Sequence, residues 1–132
     1  MLKLAVALLS VTIAVTQTKA FTLQQRQQGD MYAIECVAET GVNPASVAQL
    51  RVGDFTANDK RSKCFIRCFF EKEGFMDKKG NLHMEKIVDA LSGDFSREKV
   101  ETVLTSCSAK GKNACETAFR MYECFYKHRE GL

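Results

Sequence analysis

The sequence has no tryptophan, a single proline (Pro44) and only two histidines (His83 and His128) among 132 residues. Neither histidine sits in a recognisable serine or cysteine motif, so no base is held beside a nucleophile and catalysis is not expected. The scarcity of proline comes with no extended alternation of apolar and polar residues, which argues against a sheet. No apolar run beyond residue 20 is long enough to span a bilayer, so stable membrane insertion is not expected. Charge of one sign is also scarce, with 19 Lys and Arg against 16 Asp and Glu. Losing Lys3 and Lys19 with the leader described next lowers the formal charge from +3 to +1. Such a chain carries no long-range field for nucleic acid or an anionic membrane, and neither is expected as a partner. Short basic runs, Lys60-Arg61 and Lys78-Lys79, lie beside Asp59 and Asp77 and read as solvated faces. The acidic residues Glu71, Glu73, Glu85, Asp89, Glu98 and Glu101 are scattered among basic ones, with no pattern for paired-carboxylate chemistry.

What is present begins with an export leader. Met1 to Lys3 forms a small basic region, Leu4 to Val15 is apolar apart from Ser10 and Thr12, and Thr18-Lys19-Ala20 ends on a small residue. This reads as a signal peptide over residues 1–20 cut after Ala20, with one domain over 21–132 and a secreted, extracellular location. Six cysteines follow, at Cys36, Cys64, Cys68, Cys107, Cys115 and Cys124, separated by 27, 3, 38, 7 and 8 residues. An even count behind an export signal predicts three disulfides and no free thiol.

Apolar residues recur at helical spacing through most of the chain after the leader, so the expected fold is all-α with six helices. Thr22 and Gln25 form a capping-box pattern before a stripe of Met31, Ile34, Val37 and Ala38. Gly29 is a weak point inside this helix, and Gly41 stops it. Asn43-Pro44 opens a short second helix that ends near Val52-Gly53. A third runs from about Ala57 to Glu73 and stops at Gly74. Asp77 to Asn81 is a turn, after which Met84, Ile87, Val88 and Leu91 mark a fourth helix ended by Gly93. Asp94 or Ser96 caps a fifth, with Val100, Val103, Leu104 and Cys107 on one side. Asn113 with Glu116 opens the sixth, down which Cys115, Ala118, Phe119, Tyr122, Phe125 and Tyr126 run.

Cys64 and Cys68 lie one turn apart on one helix, with directions that poorly fit a bond between them, so each is expected to grip a different neighbour. Cys115 and Cys124 stand about 13 Å apart by helical rise, beyond disulfide reach. Several pairings survive these exclusions. Metal binding through the cysteines with His83 or His128 is not expected, because an i,i+4 cysteine pair is not the usual zinc spacing. Asp77 to Val88 also fails as a calcium loop, with Leu82 where glycine is needed and Val88 where a bidentate glutamate is needed.

The cysteine gaps, the leader and the helix count together resemble insect odorant-binding proteins of the pheromone-binding and general-odorant-binding group. The gap of 7 between Cys107 and Cys115 is slightly shorter than that group's usual spacing. The resemblance implies pairing of the first cysteine with the third, the second with the fifth and the fourth with the sixth. Here those are Cys36 with Cys68, Cys64 with Cys115, and Cys107 with Cys124. It also implies a disulfide-stapled shell around an apolar cavity, no cofactor, a small apolar ligand carried through aqueous fluid, an odorant receptor as a further partner, and a monomer or weak homodimer.

Nine phenylalanines and three tyrosines concentrate in the third and sixth helices, where Phe65, Phe69, Phe70, Phe119, Tyr122 and Phe125 are expected to face inward. A core and an apolar pocket share this composition. With Met84, Val88, Leu91 and Val103, these aromatics are the candidate ligand contacts, and Tyr122 or Tyr126 could add a hydrogen bond to a ligand oxygen. The short tail after Cys124 could lie across a cavity mouth as a lid, with Leu132 as the contact and His128 as a pH-sensing group. Two other classes fit a secreted helical chain: a saposin-like lipid-interacting protein, though its cysteines are spaced differently, and a signalling ligand with a solid core.

Overall fold

Six helices make up the fold in the computed structural model, which describes residues 23–107 and 110–132. The expected leader, and Thr22 of the first capping pattern, lie outside those residues. The helices are α1 (Leu23–Thr40), α2 (Pro44–Arg51), α3 (Lys60–Glu73), α4 (Met84–Leu91), α5 (Arg97–Ser106) and α6 (Ala114–His128), with a closing 3-10 turn at Arg129–Gly131. Among the described residues there is no strand, and one isolated antiparallel bridge, Met76 to Leu82, closes the Asp77 turn.

Local chemistry explains the boundaries. Asn43 accepts the Ala45 N–H at 2.9 Å and is followed by proline at the first helical position, where a missing N–H does no harm. Asn113 likewise accepts the Glu116 N–H at 2.9 Å. Gly74 adopts φ 79°, a left-handed conformation that suits glycine, and its N–H closes the end of α3 on Glu71 and Phe70. The third helix begins at Lys60, not near Ala57: Asp59 is its N-cap residue and takes a hydrogen bond from the Ser62 hydroxyl, while Ala57 is buried in the preceding loop.

The expected apolar stripe of the first helix coincides only in part with its buried face: Val37 packs against the core, but Ala38 is exposed. Met31 is 60% and Ile34 71% exposed, whereas Ala33 and Cys36 are buried. The reason is covalent and steric: the Cys36–Cys68 bridge brings α1 against α3 with Cα atoms 5.7 Å apart, and small residues permit that approach. Lys72 on α3 reinforces the contact by reaching Glu35 and Glu39 of α1, each at 3.0 Å.

Helix α3 is the centre of the fold. It packs most extensively on α6 and next on α1, while α4 packs on α5 and α5 on α6. The bridges are Cys36 to Cys68, Cys64 to Cys115 and Cys107 to Cys124, the pairs that the resemblance implies, and none of the six cysteines is free. Val100, Leu104, Ala118 and Met121 fill the α5–α6 side of the core. Among the described residues no helix is long and apolar enough to cross a membrane.

Candidate ligand cavity

The helices do not close completely on one another. They leave a cavity of about 670 Å³, large enough for a molecule of drug-like size. Its main wall is α3, where Phe65, Ile66, Phe69, Phe70 and Glu73 share one helical face. Met121, Tyr122 and Phe125 of α6 stand opposite, and Ile87, Ala90 and Leu91 of α4 form a third side. Helix α1 contributes its smallest residues, Gly29 and Ala33, and α2 contributes Val47 and Leu50.

The rim is polar. Gln25, Arg26, Gln28 and Asp30 of α1 and Arg51 of α2 border the mouth, all exposed, and Arg51 reaches Asp30 at 3.7 Å. This is the amphipathic arrangement of a small-molecule site: an apolar lining that drives transfer from water and a few polar groups that orient.

Two polar groups lie further in. Tyr122 donates its hydroxyl to the Leu50 carbonyl at 2.8 Å, tying α6 to the end of α2, and burial pushes its phenol pKa up. That hydroxyl is therefore already committed as a donor and can meet a ligand only as an acceptor. Glu73, the last residue of α3, is half-buried and its carboxylate has no hydrogen bond or ion pair among the described residues. Burial raises its pKa above the ordinary carboxyl value.

Of the candidate contacts read from sequence, Phe65, Phe69, Phe70, Leu91, Tyr122 and Phe125 line the cavity. Met84, Val88, Val103 and Phe119 are placed elsewhere. Phe119 lies about 110° round α6 from the centre of the cavity-facing residues and Val88 about 100° round α4. Each is buried between helices, Phe119 edge-on to Phe55 with ring centroids 5.9 Å apart. Val103 turns away because its neighbour Leu104 takes the inward position, and Met84 packs against the core. Tyr126 also stays outside, against Phe55 and Tyr122.

The tail does not cross the mouth. The Arg129 guanidinium stacks 3.7 Å from the Tyr126 ring centre and donates to the Tyr126 carbonyl, which folds the last residues back on α6. Leu132 packs against the core, and exposed His128 contacts the Cys124 carbonyl at 2.7 Å. His128 also lies beside the Cys107–Cys124 bridge, but those sulfurs are joined to each other and offer no thiolate to a metal.

Comparison with known proteins agrees with this geometry. The PBP/GOBP family matches residues 18–128. Odorant-binding protein 10 of Aedes aegypti is 30% identical over 102 residues, 76% of this chain and 73% of that protein. General odorant-binding protein 56a of Drosophila melanogaster is 31% identical over 123 residues, 92% of this chain and 88% of that protein. Among solved structures, the fatty acid binding protein OBP56a from the oral disk of the blowfly Phormia regina superposes with a TM-score of 0.73 at 32% identity, covering 86% of this chain and 99% of that one.

Proposed function

This chain belongs to the PBP/GOBP family, and we propose that it is a secreted carrier that takes small apolar molecules, such as odorants or related semiochemicals, into its cavity and moves them through aqueous fluid. The observation that carries this reading is the 670 Å³ space with an aromatic wall behind a polar rim. A solid core would have favoured a signalling ligand instead.

The driving force is removal of apolar surface from water. A ligand burying about 200 Å² gains about 5 kcal/mol, before the losses of association. That gain alone corresponds to a Kd of about 0.2 mM, so tighter binding requires a longer buried chain and a cavity already formed, as bridged helices provide. Phe65, Phe69, Phe70, Leu91, Tyr122 and Phe125 are the proposed contacts. A blowfly neighbour is described as a fatty acid binding protein, and an aliphatic chain of that kind suits the phenylalanine wall here. On this reading the leader is removed after Ala20, the domain over 21–132 works as a monomer or weak homodimer, and a receptor collects the ligand.

The test is titration of the oxidised protein with N-phenyl-1-naphthylamine, followed by displacement with volatile alcohols, aldehydes, esters and fatty acids. Saturable dye binding at one site per chain, with displacement by some of these, is expected. No saturable binding by any of them would reject the carrier reading.

A further inference from the structure

Resting on that carrier reading, we infer that Glu73 is the head-group receptor of the cavity, selecting apolar molecules that end in a hydrogen-bond donor, an alcohol above all, over those with an ionised acid head. It shares the cavity lining with apolar neighbours, Phe69 and Phe70 from its own helix and Phe75 from the following loop, and with Gly29 of α1. A Cβ built on Gly29 would lie 3.9 Å from one Glu73 carboxylate oxygen and 4.0 Å from the tip of Phe69. The absence of a side chain at Gly29 therefore leaves that oxygen facing open cavity.

Among the described residues the carboxylate has no hydrogen-bond or ion-pair partner, although charged groups stand on the elements around the cavity. On α1, Arg26 and Asp30 stand at the exposed rim; on α2, Arg51 is paired with Asp30; on α4, the Lys86 amine approaches Gly74. On α3 itself, Lys72 points to Glu35 and Glu39. Tyr122 on α6 donates its hydroxyl hydrogen to a bond with the Leu50 carbonyl. None of them bonds Glu73, and neither histidine lines the cavity.

Such a group has lost water without gaining a donor, and it also sits at the negative end of its own helix. A ligand hydroxyl would restore the missing hydrogen bond, and bonds to an ionised acceptor are among the stronger ones. An acid head would instead set two negative charges in one partly dehydrated space, where their repulsion is only partly screened. The raised pKa of Glu73 adds a consequence: acidification relieves that repulsion as the carboxyl takes up a proton.

Displacement of N-phenyl-1-naphthylamine by three ligands of equal chain length tests this: dodecanol, dodecyl methyl ether and dodecyl sulfate. Dodecanol should bind the unmodified protein about tenfold more tightly than the ether, which has no donor. Dodecyl sulfate stays ionised throughout, so its affinity should rise as pH is lowered from neutral and the Glu73 carboxyl, whose pKa burial raises, takes up its proton. Glu73→Leu should bring the alcohol down to the ether, and Glu73→Gln should strengthen dodecyl sulfate at neutral pH and flatten its pH dependence. Equal binding of alcohol and ether by the unmodified protein overturns the inference and leaves the carrier reading in place. So does an unchanged pattern in both variants. Failure of the dye and all three ligands to bind would remove the carrier reading itself, and Glu73's role with it.

Discussion

Replacing Gly29 first by alanine and then by phenylalanine separates the helix from the cavity it borders. Gly29 lies inside α1, where glycine is about 0.5–1 kcal/mol less favourable than alanine because it loses more backbone freedom on folding. The methyl group of alanine would meet nothing closer than 3.9 Å, an ordinary contact distance. Gly29→Ala should therefore stabilise the fold by about 0.5–1 kcal/mol, a rise of about 2–5 °C in the thermal midpoint for a domain of this size. Dye affinity should stay within about twofold. Phenylalanine at the same place must extend past that methyl into the space between Phe69 and Glu73. If it takes about 40 Å² of wall contact from the ligand, affinity falls by about 1 kcal/mol, roughly fivefold in Kd. Circular dichroism melts and dye titration of the two oxidised variants read both effects. A lower midpoint for Gly29→Ala would mean that the room beside α1 does not exist. Undiminished dye binding by Gly29→Phe would mean that the ligand lies elsewhere.

Other outcomes follow from the same geometry. Removing the Cys64–Cys115 bridge by double serine substitution should lower stability by about 4 kcal/mol on the loop-entropy estimate, against about 3 kcal/mol for Cys107–Cys124, because the sequence separations are 51 and 17; urea unfolding ranks them, and the reverse order would contradict the loop argument. Tyr122→Phe leaves the Leu50 carbonyl without its donor and should cost about 1 kcal/mol in the same measurement; no loss would show that this contact contributes nothing to holding α2. Glu73→Gln should raise the thermal midpoint near neutral pH, because a carboxyl whose folded pKa is raised opposes folding when ionised. That advantage should shrink as pH falls through the raised pKa towards the ordinary value near 4.5, and a constant difference across the range would contradict it.

Much of this architecture was legible in residues whose chemistry is local. Asn43 before Pro44, Asn113 before Glu116, and Gly74 each act within one turn, so the boundaries they set could be read directly. The inward-facing aromatics of α3 were legible too, since Phe65, Phe69 and Phe70 recur on one helical face. The α1 side of the cavity was not. Gly29 and Ala33 carry little apolar surface, and their importance comes from what they leave vacant, which no hydrophobic pattern records. Met31 and Ile34 misled for the complementary reason: they are apolar, but the bridge at Cys36 decides which side of α1 turns inward. Glu73 looked like one of several scattered surface acids until the fold placed Phe69 and Phe75 around the same space.

The two bonds that leave α3 one turn apart, from Cys64 towards α6 and from Cys68 towards α1, have a mechanical corollary. A rod pinned on two sides at neighbouring turns can neither slide along its axis nor roll, so the aromatic wall keeps its place whether or not a guest is present. Compliance is left to α2 and α4, which neither contain nor adjoin a bridged cysteine and are also the shortest helices, at eight residues each. They are the natural doors, and amide hydrogen exchange should find them opening faster than the pinned axle between them.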